Sequence, residues 1–74
     1  MGQIRNDKLL KEIAIQVKRI RESKGLTQEE VYNDTGIHVG RIETAKSNVT
    51  VSTLHALCDY FGMKLSKLLK LVEG

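Results

Sequence analysis

Apolar side chains recur every three or four positions along most of the chain and nowhere alternate with polar ones for long, the pattern of helices with one buried face. Leu9 or Leu10, Ile13, Val17 and Ile20 form the first stripe, which predicts a helix from Lys8 to about Lys24, capped by Asp7 and stopped by Gly25. Val39 and Ile42, three apart, point a short later helix into a core. Val51, Leu54, Leu57, Cys58 and Phe61 make the buried side of a fourth helix, capped by Thr50 or Ser52 and ended at Gly62. The last helix, from about Leu65 to Val72, carries Leu65, Leu68, Leu69, Leu71 and Val72 on more than one side. Before the first helix, Met1 to Asn6 reads as a frayed arm whose Ile4 either packs or reaches a partner.

The stretch from Thr27 to Lys46 is organised differently. Thr27 and Glu30 stand three apart, as a capping box requires, so a helix starts at Gln28, with Glu29 and Glu30 at the positive end of its dipole. Asn33-Asp34 is turn chemistry, which predicts that this helix stops there and that Thr35 caps the next one, running to about Thr44. On that next helix Ile37, Gly40, Arg41 and Thr44 share the stripe opposite Val39 and Ile42. A core face backed by a glycine and an arginine suits a helix that another molecule approaches closely. A helix-turn-helix offers that geometry, with its second helix in the DNA major groove.

Gly25-Leu26-Thr27-Gln28-Glu29-Glu30, Arg41-Ile42-Glu43 followed by Lys46, then Leu54, Leu57, Phe61-Gly62 and Leu65-Ser66-Lys67-Leu68-Leu69 resemble the Cro/cI-type (XRE) helix-turn-helix regulators over roughly residues 9 to 70. The resemblance implies an all-α, five-helix, lambda-repressor-like fold with its helix-turn-helix at about 27–45, in a single domain spanning 1–74. It also implies double-stranded DNA as partner through the major groove, two-fold dimerisation through the C-terminal helix, and an ion pair between Arg21 and Glu43 that clamps the recognition helix. Family members carry about three more residues between the Gln and the Arg-Ile-Glu. Keeping the DNA-facing helix whole assigns the shortening to the second helix, with Asn33 at the usual turn glycine and Tyr32 near a usual alanine. The other gapping takes Gly36 as the turn glycine and shortens the recognition helix instead.

Composition narrows the alternatives. At 74 residues, with no proline and no tryptophan, the chain buries about 60% of its unfolded surface. A deep catalytic cleft is not expected at that size, and association with a second copy helps stability. One cysteine excludes an internal disulfide and fits a reducing compartment; with no signal peptide and no apolar run of membrane length, a soluble cytoplasmic protein is expected. The net charge of +3 is unevenly spread: residues 1–26 hold seven Lys/Arg against three Asp/Glu, whereas residues 27–46 hold two against four. The motif is therefore not itself basic, and phosphate attraction falls to Arg41, Lys46 and the edge of the first helix.

No cluster of catalytic or metal-ligating residues emerges, so no enzyme, metal site or small-molecule cofactor is expected. Cys58 reads as a small core residue. His55 lacks a ligand partner at metal spacing, and His38 is open between a phosphate contact and a helix-helix filler. The expected DNA contacts are Gln28 and Lys46 on phosphate, Arg41 on guanine, Gly36 at the point of approach, Ile37 on a thymine methyl and Thr44 on backbone or base, with Thr35 and Gly40 on the same surface. Tyr60, Phe61, Leu65, Leu68, Leu69 and Leu71 are the expected dimer surface. A repressor on a palindromic operator is the leading reading. An antitoxin or restriction–modification controller of the same fold is one alternative, and a protein-interaction module that has lost DNA binding is another.

Overall fold

In the computed structural model, which describes residues 6–73, five helices follow in order: α1 (Asp7–Ser23), α2 (Gln28–Thr35), α3 (Val39–Glu43), α4 (Val51–Phe61) and α5 (Leu65–Glu73). Among the described residues there is no strand. The arm expected at Met1 to Asn6, with Ile4, lies outside them apart from Asn6. Asn6 rather than Asp7 caps α1, its side-chain oxygen accepting from the Leu9 N–H at 3.0 Å. At the other end the Gly25 and Leu26 N–H groups return to the Glu22 and Arg21 carbonyls, so two of the last orphan acceptors of α1 are satisfied.

The capping box at α2 is formed in both directions: Thr27 Oγ1 accepts from the Glu30 N–H at 3.1 Å, and Glu30 Oε1 accepts from the Thr27 N–H at 3.0 Å. The far end of α2 corrects the expected boundary. The helix runs through Asn33-Asp34 and ends only at Thr35, where Gly36 takes the left-handed conformation at φ +75° and its N–H reaches the Tyr32 carbonyl at 2.8 Å. Thr35 does not cap α3. Its hydroxyl donates to the Val31 carbonyl inside α2 at 2.7 Å and accepts from the Ile37 N–H of the following turn at 3.0 Å. Glycine adopts a positive φ without the Cβ clash that asparagine must bear, so Gly36 wins the turn over Asn33. The shortening therefore falls on α3, which is five residues long and begins after His38.

Among the described residues, twelve apolar side chains make the buried core: Leu10, Ile13, Ala14 and Val17 from α1, Val31, Val39 and Ile42 from α2 and α3, Leu54, Leu57, Cys58 and Phe61 from α4, and Leu68 from α5. Thr50 caps α4, and Gly62 and Met63 close it through the Asp59 and Cys58 carbonyls. Val51, expected on the buried side, is 69% exposed, because the first turn of α4 projects beyond the core that Leu54 begins to cover. On α5 only Leu68 is fully buried, while Leu65 and Val72 pack on the core from its edge.

Candidate nucleic-acid interface

The α2–α3 pair is held to α1 from beneath. Arg21 is almost fully buried, and its guanidinium grips Glu43 with two bonds, Nε to Oε2 at 2.7 Å and Nη2 to Oε1 at 3.0 Å. Its third nitrogen, Nη1, donates to the Leu26 carbonyl at 2.7 Å, so the same side chain also fixes the α1–α2 turn. The hydrogen bond to Glu43 raises the guanidinium pKa above its usual value, outweighing the opposing cost of burial. Removing two charges from water is costly, and a fork in which each of the three guanidinium nitrogens holds an acceptor is the arrangement that offsets it.

Glu43 also reaches α2 from its buried place. Its Oε1 accepts from Gln28 Nε2 at 3.1 Å, which joins the first turn of α2 to the last turn of α3. A Cβ at position 40 would stand 3.1 Å from Gln28 Oε1, so the two helices approach closely where residue 40 has no side chain. Gln28 is exposed all the same, and its amide nitrogen keeps a second N–H beyond the one given to Glu43.

Above this clamp lies the exposed surface. Gln28, Gly36, Arg41, Thr44 and Lys46 are open to solvent. Thr35 and Ile37 are half-buried: the first spends its hydroxyl inside α2, and the second packs on the core, showing only an edge. Ile37 also precedes α3, so the expected stripe of Ile37, Gly40, Arg41 and Thr44 is not one face of one helix. Thr44 donates its hydroxyl to the Arg41 carbonyl at 2.7 Å and closes α3. Ala45 follows at φ +60°, a left-handed residue that is not glycine.

Two shallow hollows flank α3. One is bounded by Gln28, Tyr32 and Gly40, the other by Ile37, Asn48 and Thr50, and both are bordered by His38 and Arg41. The structure thus places His38, open in sequence between a phosphate contact and a helix-helix filler, on the exposed surface, and adds Tyr32 beside it. Their rings stack with centroids 4.4 Å apart. With the helix boundary expected at Thr35, His38 fell inside a helix and this contact had no visible cause.

The sequence model of the helix-turn-helix family matches residues 17–68, from the second half of α1 to the first turn of α5. The chain belongs to the helix-turn-helix family. The match supports the XRE, Cro/cI-like type, whose members are DNA-binding regulators of transcription. No curated protein matches the chain. In helix-turn-helix proteins the first helix of the motif positions and the second is the recognition helix, and α2 and α3 stand in those two places. Here the recognition helix is the short one.

The remaining side of the helix-turn-helix domain carries the residues expected at a dimer contact. Phe61 and Leu68 are 3% and 1% exposed: Phe61 keeps the buried side of α4 expected of it, Leu68 joins the core, and neither is open for the dimer contact also expected of them. Leu69 and Leu71 are exposed, but two positions apart on a helix they point to different sides, and Lys70 stands between them. Leu71 borders a groove with Ile20, Met63 and Lys67, and Leu65 is half-buried. Tyr60, half-buried, donates its hydroxyl to Asp34 Oδ2 at 2.6 Å, and that bond pushes its pKa up to about 12. Cys58 is buried, and burial followed by the nearby Asp59 charge raises its thiol pKa. Among the described residues no group of His, Cys, Asp and Glu is placed to hold a metal, and no helix is long and apolar enough to cross a membrane.

Proposed function

We propose that the chain acts in the cytoplasm as a single-domain repressor, binding a palindromic operator as a homodimer and working by occupancy of its site. The observation that carries this reading is the placement of Arg41. It is exposed on the recognition helix, between two open hollows, while the helix under it is pinned by Glu43 to Arg21. A guanidinium so held suits bidentate contact with guanine O6 and N7. Gln28 takes a phosphate through its free amide N–H, Lys46 takes another, Thr44 meets backbone or base, and the exposed edge of Ile37 meets a thymine methyl. Gly36 lends the surface room for close approach, and Gly40 lets Gln28 lie close against α3 on that same surface.

A five-residue helix spans only about 7.5 Å, enough for few base pairs. Each base pair contributes roughly 1–3 kcal/mol, whereas a regulator needs roughly 4–10 kcal/mol over non-specific binding, so two copies must read together. Leu65 and Leu69, one turn apart on α5, supply the surface for that pairing. Selection from random DNA followed by footprinting tests the proposal: the enriched site should be an inverted repeat with half-site centres about 34–36 Å apart. An enriched site without two-fold symmetry would reject the dimer. No enrichment at all would favour a protein-interaction role, for which the exposed Glu29 and Glu30 at the start of α2 are the supporting observation.

A further inference from the structure

We infer that His38 is a DNA-contacting residue and that Tyr32 is its positioning residue, the two rings acting as one unit at the start of the recognition helix. The inference rests on the DNA-binding reading above. His38 sits at the centre of a tight turn, with φ −79° and ψ 75° and the Val39 N–H donating to the Ile37 carbonyl at 2.9 Å. These are the dihedrals and the bond of an inverse γ-turn, which sets the direction in which the side chain leaves the backbone. The imidazole makes no capping bond to α3. Instead the Tyr32 ring lies against it at 4.4 Å with 31° between the planes, although both residues are exposed.

Tyr32 lies one turn beyond Gln28 on α2, so the stack continues the strip on which Gln28 stands. His38 is also the one residue besides Arg41 that borders both hollows flanking α3. An imidazole in that place offers an N–H to an acceptor on DNA, either a phosphate oxygen or a purine N7 or O6. A side chain whose rotamer is fixed before binding loses less freedom on contact, and the Tyr32 ring fixes this one. The turn sets the exit vector, the stack sets the ring, and the free ring nitrogens make the contact.

The test uses the operator selected by the wild-type chain, with thermal melts to confirm that each variant folds. His38→Ala should weaken binding by about tenfold, within the range of one lost contact. Tyr32→Ala should weaken it comparably, Tyr32→Phe should bind as wild type, and the double variant His38→Ala/Tyr32→Ala should be no weaker than His38→Ala alone. If the acceptor is a base, reselection with His38→Ala relaxes one position of the site. If it is a phosphate, preference is unchanged and all sequences weaken alike. Wild-type affinity in His38→Ala overturns the inference, as do losses that multiply in the double variant. Arg41→Ala is the control: a wild-type chain that binds no DNA rejects the underlying reading, whereas tight binding lost with Arg41→Ala but kept with His38→Ala rejects only the role of His38.

Discussion

The two ends of the recognition helix are held in opposite ways. Its C-terminal end carries Glu43, locked in a buried fork with Arg21 and bonded to Gln28. Its N-terminal end begins at His38, supported at the surface by a ring stack and a tight turn, with no buried polar group beneath it. The difference teaches where rigidity resides. The end tied to α1 sets the orientation of the helix in the fold, while the free end presents side chains that another molecule meets first. Arg41 stands between, on a backbone governed by the rigid end.

The largest way to break this contrast is Glu43→Ala. It leaves Arg21 buried without its partner and should cost about 3–5 kcal/mol in urea unfolding. A loss below about 1 kcal/mol would place the pair energetically at the surface and remove the contrast. Replacing both partners by apolar residues, Arg21→Met with Glu43→Leu, should cost far less than Glu43→Ala alone, because no charge is left stranded.

The rigid end is next sharpened at Ala45. A left-handed alanine is strained, so Ala45→Gly should raise stability by about 1 kcal/mol, less the entropy that glycine adds to the unfolded chain. A decrease would show that the unfolded-state term wins. At the free end, Tyr32→Ala should cost about 0.5–1 kcal/mol, the value of one partly exposed ring pair. A loss as large as that of Glu43→Ala would make both ends equally structural.

The smallest effect concerns pH and the bond from Tyr60 to Asp34, which ties the end of α2 to α4. The neutral phenol is favoured in the folded state, where the pKa is raised from 10.0 to about 12. Its contribution is therefore complete below the unfolded value and is lost as pH rises from about 10 to about 12. Wild type should lose more stability across that window than Tyr60→Phe; equal slopes would show that the hydrogen bond is not maintained in solution.

What was legible in the sequence was local or apolar. The Thr27–Glu30 box and the glycine stops of α1 and α4 are decided within a few residues, and the structure forms them as expected. Val31, Val39, Ile42, Leu54 and Leu57 come together in one core because each lies on the apolar side of its own helix. The end of α2 was not legible. Asn33-Asp34 carries turn chemistry, yet it stays helical because Asp34 finds the Tyr60 hydroxyl 26 positions away and Gly36 takes the left-handed residue at lower cost. The ring pair of Tyr32 and His38 followed that misplaced boundary. Leu68 looks like surplus apolar surface in the sequence only because the depth of a core drawn from five helices cannot be counted on any single one.

The buried Cys58 gives the molecule a clock of its own. Its thiol is the only one in the chain, it is 2% exposed, and burial keeps it in the unreactive protonated form. An alkylating reagent can reach it only when α4 parts from the rest of the core, so the labelling rate reads the population of that open form, or its rate of formation when the reagent outpaces reclosing. A ligand that binds only the closed molecule must slow the labelling in proportion to its saturation. The same sulfur that contributes nothing to recognition can thus report, without any added probe, whether recognition has taken place.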